Sequence, residues 1–212
     1  MKYKIINVED DELGGTSEWY YHSDADHFWS IIRNDWVDHC REKYFKYVKS
    51  FDVMITAGAH IGMYTKFYAE KFKTVYAFEP DPTSFFCLVN NVKNENVIKM
   101  QAALSNERML VSLKDTGSHG HLTLGIDKNQ TTSGIIPTLL IDDLNLQVCN
   151  LIQLDVEYYE YNALLGALET IKRCSPVIIA ENGHVDQIVN LLEPLGYKIV
   201  DRTSYDTIWS KE

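Results

Sequence analysis

The sequence predicts an α/β fold built on a mostly parallel, seven-stranded sheet that ends in an antiparallel hairpin. Three observations support this. Short apolar runs alternate with helical segments from residue 51 onward, which is the pattern of a parallel sheet with crossover helices. One of these units carries a glycine-rich turn between a strand and a helix. The last two strands are joined only by the stretch Arg202–Asp206, which is too short for a crossover helix, so these strands must be antiparallel.

The central unit runs from Phe51 to Pro82 and has the parts of a nucleotide-binding βαβ motif in order. The apolar run Val53–Ala57 has the length of a buried parallel strand. A glycine turn (Gly58-Ala59-His60-Ile61-Gly62), a helix and a second buried strand follow it. That second strand ends at Glu79, about twenty residues after the first glycine, where such units place a carboxylate on a ribose. The alternative is a plain βαβ unit in which the turn is structural and Glu79 is a surface residue.

The turn also indicates which nucleotide would bind. A dinucleotide site uses Gly-x-Gly-x-x-Gly so that the backbone can approach a pyrophosphate, but His60 occupies the middle glycine position. The start of the helix lacks the lysine of a phosphate-binding P-loop. A nucleoside without phosphates fits better, and S-adenosylmethionine is the common ligand of this kind.

The composition is that of an ordinary globular protein, with 45% apolar and 24% charged residues among 212. The net charge of −10 repels phosphate backbones and disfavours a nucleic-acid partner. The cysteines lack the paired spacing of zinc or redox motifs, which favours thiols in a reducing compartment. No run has the pattern of a signal peptide or a membrane span. We therefore expect a cytoplasmic protein that does not bind membranes.

Residues 1–50 are predicted to form an addition to the main domain, which covers residues 51–212. Lys2–Val8 and Glu18–His22 flank a polar turn and predict a hairpin. Asp24 or Asp26 can cap a helix that continues to about Lys49. One face of this helix carries an aromatic stripe that predicts burial, with a substrate wall or a dimer contact as alternatives. The stripe consists of Phe28, Ile32, Trp36, Cys40 and Tyr44.

The remaining segments complete the sheet. Further strands are predicted at Val97–Ala102, Leu151–Leu154, Val177–Ala180, Tyr197–Asp201 and Thr207–Ser210, and helices at Pro82–Lys93, Tyr161–Cys174 and Val185–Leu195. The long connection before Leu151 holds a hairpin (Met109–Lys114 with His121–Leu124), a polar loop and an extended stretch at Pro137–Ile141. We expect this connection to form a lid beside the site.

A parallel sheet that closes with an antiparallel hairpin is the arrangement associated with S-adenosylmethionine-dependent methyltransferases, and several separated motifs agree with it. They are Gly58–Gly62, Tyr76–Pro82, Ala103–Ser105, Leu140–Leu144, Leu154–Glu160, Leu165–Ala167 and Pro176–Glu181. On these motifs the sequence resembles the FkbM-like family of such enzymes. The resemblance implies a Rossmann-like class I methyltransferase fold, S-adenosylmethionine as cofactor and, usually, O-methylation of a small molecule or a sugar hydroxyl.

The chain departs from the family pattern at four positions. The family usually has an acidic residue in place of Thr56, an asparagine for His60, a lysine for Gln153 and a glycine for Tyr158. The acid commonly helps to hold the cofactor's amino group, whereas Thr56 supplies an acceptor oxygen without the charge. Loss of one charge-assisted hydrogen bond costs about 1.5–3 kcal/mol, or roughly ten- to a hundred-fold in affinity. Tyr158 places a ring beside the predicted reacting centre, which indicates either a different substrate or a partly filled pocket.

Ligands of a parallel sheet bind outside the carboxyl ends of its strands, so we predict a crevice at those ends. The predicted cofactor site consists of Thr56, Gly58, Ala59, His60, Gly62, Glu79, Pro80, Gln101 and Ser105. Glu79 is expected to take the ribose hydroxyls, and Gln101 and Ser105 to contact the adenine. The glycine turn is expected to approach the methionine portion, with N–H groups of the helix facing its carboxylate.

Asp155 and Glu157 are the predicted catalytic residues, because they lie two residues apart just past a strand end and can bind or deprotonate a hydroxyl. Alternative bases are His60, His121 and His184. The main prediction includes no metal, although a divalent cation at Asp155, Glu157 and Glu181 is an alternative. A further alternative is structural, with Glu157 and Glu160 stabilising the first turn of the following helix.

Two classes of function remain open at this stage. The first is an O-methyltransferase that acts on a small hydroxylated substrate or a sugar. The second is a binding or structural module on the same fold whose catalysis is weakened or lost. A nucleic-acid methyltransferase is disfavoured, because the chain lacks an Asn/Asp-Pro-Pro-aromatic signature and a basic surface. The sequence identifies neither the acceptor nor the oligomeric state.

Overall fold

A computed structural model describes residues 3–10, 15–22, 43–115, 122–125 and 135–211. Its elements, in chain order, are β1 Tyr3–Asp10, β2 Gly15–His22, β3 Val53–Ala57, α1 Met63–Lys71, β4 Thr74–Phe78, α2 Pro82–Asn91, β5 Val97–Met100, β6 Ala103–Leu104, β7 Leu110–Asp115, β8 Leu122–Gly125, β9 Ile135–Leu139, β10 Leu151–Leu154, α3 Glu160–Leu165, α4 Leu168–Cys174, β11 Val177–Glu181, α5 Val185–Leu192, β12 Lys198–Arg202 and β13 Asp206–Ser210. Short 3₁₀ helices lie at Ile141–Leu144, Asn182–His184 and Glu193–Leu195.

The central sheet has seven strands in the order β12-β13-β11-β10-β3-β4-β5. The five strands β11, β10, β3, β4 and β5 are parallel to one another. Strand β13 lies between β11 and β12 and is antiparallel to both. The predicted sheet, mostly parallel and ending in an antiparallel hairpin, is confirmed.

The alternation of side chains along the inner strands divides the core into two halves. Ile55, Ile152 and Ile178 are paired across β3, β10 and β11, and all three belong to the cluster on one face of the sheet. Their neighbours Met54 and Leu151 belong to the cluster on the other face. A strand that is apolar on both faces can be buried only beneath helices on both sides, which is why these runs show no polar alternation.

The connection between β5 and β10 forms a second sheet, in the order β6-β9-β7-β8. The predicted hairpin is present as the antiparallel pair β7 and β8. The stretch predicted to be merely extended is β9, which pairs with β7 and, in parallel, with β6. Residues 116–121 and 126–134 lie outside the described part of the chain, and the role of this connection as a lid stays a prediction.

The predicted N-terminal hairpin is present as the antiparallel pair β1 and β2. Most of the helix expected after it, including Phe28, Ile32, Trp36 and Cys40, lies outside the described residues. Its end is described, and the helical conformation stops at Phe45 rather than at Lys49. The division of the chain at residue 50 stays a prediction.

The helix predicted over residues 161–174 is two helices, α3 and α4, that are separated at Gly166. A Cβ atom at Gly166 would lie 2.0 Å from the carbonyl oxygen of Ser105. The absence of a side chain there lets the helices approach the start of the second sheet.

Among the described residues, no helix combines the length and the apolar character needed to cross a membrane.

Candidate functional site

The carboxyl ends of the five parallel strands lie side by side. Ala57 pairs with Phe78 on one side and with Leu154 on the other, and the same row continues to Met100 and Ala180. Main-chain hydrogen bonds extend past the strand ends, from Glu79 N–H to Met100 O at 3.1 Å and from Asp155 N–H to Ala57 O at 3.0 Å. The residues that follow the paired row are Gly58, Glu79, Gln101, Asp155 and Glu181. The structure therefore brings to one edge the strand ends that were expected to converge.

Gly58 allows two main-chain segments of the protein to come together at this edge. Its φ is 78°, in the left-handed region, and a Cβ atom would lie 1.7 Å from the carbonyl oxygen of Asp155. The N–H groups of Gly58 and Ala59 both donate to the carbonyl oxygen of Phe78, at 3.1 and 3.0 Å. The close contact that requires this glycine is therefore with the residue that follows β10, and contact between Gly58 and a ligand stays a prediction.

Gly62 has a similar role at the start of α1. Its φ is 94°, and a Cβ atom would lie 2.6 Å from Cγ2 of Val92 and 2.9 Å from Cδ1 of Leu88. The turn consequently packs directly on α2 and the residue that follows it. His60, between the two glycines, has a φ of 48°. Histidine and asparagine are among the residues that tolerate this region best, so replacing the family's asparagine by histidine preserves the turn.

Four main-chain donors of the turn already bind acceptors within the protein. Besides the two that bind Phe78, His60 N–H donates to Oε2 of Glu79 at 2.7 Å and Gly62 N–H donates to Ala59 O at 2.9 Å. A cofactor carboxylate at this turn would therefore need other donors than these four, such as the N–H groups at the start of α1, which is the expected arrangement. Contact between the turn and a cofactor stays a prediction.

Glu79 is a fixed, buried carboxyl group and not a surface residue, because only 6% of its surface is exposed. Oε1 accepts a hydrogen bond from Asp81 N–H at 2.8 Å, while Oε2 accepts the bond from His60. Burial raises the pKa of Glu79 to about 7, and the two main-chain bonds oppose that rise. Because each carboxylate oxygen can accept two hydrogen bonds, both oxygens retain capacity for a ribose diol. Pro80 links Glu79 to Asp81, the N-cap residue of α2.

Thr56 and Gln153 form a buried pair one residue before the strand ends. They are partners in the register of β3 and β10, and the Thr56 hydroxyl donates to Oε1 of Gln153. Thr56 is 1% exposed and Gln153 is 6% exposed. Two departures from the family pattern are thus in direct contact, and a neutral hydrogen bond joins them.

The two residues predicted to contact adenine lie in different environments. Gln101 is exposed just after β5, whereas Ser105 is fully buried. Ser105 N–H donates to Leu139 O at 2.9 Å, and the Ser105 carbonyl is the group that lies against Gly166. Ser105 thus holds the second sheet against α3 and α4. A role in adenine binding stays a prediction for both residues.

The segment after β10 is acidic. Desolvation by the surrounding protein raises the pKa of Asp155 well above its usual range, and the neighbouring charges of Glu181, Asp206, Glu157 and Glu160 add to the rise. Asp155 nevertheless remains exposed to solvent at the edge of the sheet. Its carboxyl group can therefore take up or hold a proton at a pH where an ordinary aspartate cannot.

Glu157 and Tyr158 both have positive φ, 53° and 71°. The family's usual glycine at the second position would adopt this conformation without strain, whereas a bulky residue does so at a cost. The Tyr158 ring is 67% exposed and packs edge-on against His184, with ring centroids 5.8 Å apart. The ring thus lies beside the 3₁₀ helix that follows β11. A different substrate and a partly filled pocket both stay predictions.

Glu160 fits the structural alternative. It is fully buried, and its Oε1 accepts a hydrogen bond from Val156 N–H at 3.0 Å, which fixes the turn that leads into α3.

Within the described ranges, no group of three or more histidine, cysteine, aspartate or glutamate side chains is placed to hold a metal ion, so the alternative metal site is not found. Of the alternative bases, His121 lies outside the described residues.

One residue near the turn was not predicted. Asn91, at the end of α2, donates a hydrogen bond to the carbonyl oxygen of Ile61 at 2.7 Å. An asparagine in the last turn of a helix carries no sequence signal that would connect it with Ile61, which lies 30 positions earlier in the chain.

The strand order and the convergence of the strand ends define a Rossmann-like class I methyltransferase fold. A crystal structure of a methyltransferase FkbM from Methylobacillus flagellatus KT matches with a TM-score of 0.53 and 17% identity, covering 79% of this chain and 49% of that one. The chain thus spans about half the length of that protein. TYW2 from M. jannaschii, solved in complex with AdoMet, matches with a TM-score of 0.50 and 14% identity, over 100% and 89% of the two chains.

At these identities the structural likeness shows the fold alone, and no curated protein matches the sequence. The family assignment comes from the Methyltransferase FkbM domain, whose family model matches residues 57–199. The chain therefore belongs to the FkbM methyltransferase family, a family of S-adenosylmethionine-dependent methyltransferases. The resemblance found in the sequence is confirmed.

Proposed function

We propose that this chain transfers a methyl group from S-adenosylmethionine to a hydroxyl group of a small molecule or a sugar. The observation that supports this most strongly is Glu79, which main-chain donors hold against the glycine turn while both of its oxygens keep capacity for a diol. Glu79 follows β4, next to the point between β3 and β10 where the strand order reverses. Open α/β sheets bind their ligands at such a point.

The residues that would hold the cofactor are those at this edge of the sheet. Glu79 binds the ribose, the segment Gly58–Gly62 lies along the methionine portion, and Gln101 lies towards the adenine. Thr56, Pro80 and Ser105 complete the proposed site by fixing the segments on which these residues sit. When bound, S-adenosylmethionine supplies a methyl group that its positively charged sulfur already activates.

The protein's remaining tasks are to orient the acceptor and to receive its proton. We assign proton transfer to Asp155, because a raised pKa brings a carboxylate closer to the range in which a general base is effective. Glu157 follows on the same loop and orients the acceptor hydroxyl. A net charge of −10 favours a small acceptor over a nucleic acid.

We also propose a cytoplasmic location, which is supported by the free thiols of Cys87, Cys149 and Cys174. The alternative function is a binding or structural module with weakened catalysis. It is favoured by the neutral Thr56–Gln153 pair, because that pair supplies no charge for the cofactor's amino group.

Thermal melting with S-adenosylmethionine, or with S-adenosylhomocysteine, tests the proposal. A ligand at a hundred times its Kd stabilises the folded state by about 2.7 kcal/mol, which gives a readily measured rise in Tm. Glu79→Ala should abolish this rise, whereas Glu95→Ala, a change at an exposed glutamate after α2, should leave it intact. No rise for the unaltered protein at millimolar ligand would support the non-catalytic module. A rise that persists in Glu79→Ala would show that the ribose assignment is wrong.

A further inference from the structure

The N-terminal hairpin is joined to the glycine turn through one side chain. Asn91 is 8% exposed, and its Oδ1 accepts a hydrogen bond from Tyr20 N–H at 2.7 Å. Its Nδ2 donates to Tyr20 O and to Ile61 O, each at 2.7 Å. Asn91 thus binds the backbone of β2 as a neighbouring strand would, and uses its second N–H to bind the turn. Both amide hydrogens are engaged.

Apolar packing joins the same two segments. Trp19 and Tyr21 of β2 form a buried cluster with Ile61 of the turn and Cys87 of α2. Ile61 is 1% exposed. On the other side of the hairpin, the Tyr3 ring lies 4.7 Å, centroid to centroid, from the ring of Phe86 in α2. The hairpin and α2 therefore both pack against the turn.

The turn is held at two consecutive residues. His60 is bound through its N–H to Glu79, and Ile61 is bound through its carbonyl oxygen to Asn91. The first contact leads to the carboxyl group proposed to bind ribose, and the second leads to the hairpin. A displacement of the hairpin is consequently transmitted to the backbone that positions Glu79.

We propose that Asn91 is a positioning residue that makes the N-terminal hairpin a structural part of the cofactor site. This inference rests on the proposed function for its effect on binding, but the coupling between hairpin and turn can be measured without any cofactor. Coupling between two sites is reciprocal. If an ordered hairpin strengthens cofactor binding by a given factor, cofactor binding should slow amide exchange in the hairpin by the same factor.

The test compares Asn91→Ala with Asn96→Ala. Asn96 is the matched control, since its Nδ2 also donates to two carbonyl groups, of Ala69 and Phe72, but these lie at the end of α1, away from the turn and the hairpin. A second control is Asn90→Ala, at the adjacent helix position, where Nδ2 donates to Phe86 O. The measurements are the affinity for S-adenosylhomocysteine by calorimetry, the Tm, and the exchange rates of the Tyr20, His60 and Gly62 amides by NMR in the cofactor-free protein.

We expect Asn91→Ala to weaken the affinity about tenfold, the effect of losing one well-placed hydrogen bond. It should also speed amide exchange at His60, Gly62 and Tyr20. The control variants should leave the affinity and these exchange rates unchanged, even where they lower the Tm as much as Asn91→Ala does. Equal effects of Asn91→Ala and Asn96→Ala would overturn the proposal, since they would reflect global stability alone. If the unaltered protein does not bind S-adenosylhomocysteine, the proposed function fails, and the exchange rates alone then decide the coupling: selective acceleration in Asn91→Ala upholds it, and uniform rates overturn it.

Discussion

Thr56 donates a hydrogen bond to Gln153 across the register of β3 and β10, and both side chains are buried. Each is a departure from the family's usual residue, and their contact means that the two departures form one unit. A single reversion at either position would bury a charge without a partner, which is far more costly than the loss of a neutral bond.

The first prediction concerns the hydroxyl of Thr56. Thr56→Val keeps the shape of the side chain but leaves Oε1 of Gln153 without this donor, so we expect a loss of about 1–3 kcal/mol in the free energy of unfolding. Urea denaturation measures it. Thr56→Ser retains the hydroxyl and should lose much less. Equal losses in the valine and serine variants would show that packing, rather than the hydrogen bond, accounts for the effect.

Glu79 predicts a pH dependence of cofactor binding. Its pKa of about 7 in the free protein means that it is largely protonated at pH 6 and largely ionised at pH 8. Ribose hydroxyls donate best to the ionised form, so binding lowers the pKa, releases a proton, and becomes tighter as the pH rises through 7. We expect the affinity for S-adenosylhomocysteine to fall by up to about tenfold from pH 8 to pH 6. Calorimetry at several pH values checks this, and a Glu79→Gln variant should bind with a nearly flat pH profile.

Gly58 and Gly196 allow the cost of a close contact to be separated from the cost of a left-handed backbone. Both have positive φ, but a Cβ atom at Gly196 would have nothing within 4 Å. Gly196→Ala should therefore lower the free energy of unfolding by only about 1–2 kcal/mol, the cost of the backbone conformation. Gly58→Ala must also displace the Asp155 carbonyl, and we expect a loss above about 4 kcal/mol or failure to fold. Similar midpoints in urea for the two variants would contradict the close contact.

The left-handed backbone at Tyr158 predicts that glycine is more stable than alanine at this position. Tyr158→Gly and Tyr158→Ala both remove the ring, so their difference isolates the backbone at a φ of 71°. Relief of the left-handed strain exceeds the extra entropy that glycine loses on folding, so Tyr158→Gly should be more stable than Tyr158→Ala by about 0.5–1 kcal/mol. Urea denaturation of both variants checks which is the more stable. A more stable alanine variant would show that the segment relaxes out of this conformation.

Asp155→Asn should stabilise the protein while abolishing methyl transfer. Desolvation and the neighbouring carboxylates raise the pKa of Asp155 in the folded state. The ionised side chain therefore destabilises the folded state above that pKa. This destabilisation is lost below the pKa of the unfolded state, about 3.9. The stability gain from asparagine should accordingly be larger at pH 8 than at pH 5, as measured by urea denaturation. A gain that is independent of pH would contradict the electrostatic cause.

The central sheet could be predicted because its inner strands are buried on both faces and therefore read as uninterrupted apolar runs. The second sheet could not be predicted in the same way. Strand β6 has two residues, Ala103–Leu104, and its parallel partner β9 lies more than thirty positions away, so neither shows a pattern of its own. The break at Gly166 was missed because the apolar spacing continues through it, and only the contact with Ser105 explains the interruption.

The candidate site was predictable at its strand ends but not in its internal contacts. Glu79 follows from a fixed distance along a motif, whereas the binding of its oxygens to His60 and Asp81 depends on the turn's three-dimensional course. The role of Asn91 was invisible for a similar reason, since its partners Tyr20 and Ile61 are distant in sequence. A long-range hydrogen bond made by a single side chain produces no periodic pattern in the sequence.

Strand β13 has a consequence for biosynthesis. It lies between β11 and β12, so β12 joins the central sheet only through a strand made after it. While the chain emerges from the ribosome, the five parallel strands can assemble, but the outer edge of β11 keeps its unpaired N–H and C=O groups. Such an edge is a template for pairing with other chains. The nascent protein is therefore exposed to such pairing from the synthesis of β11 until the segment Asp206–Ser210 has paired with that edge.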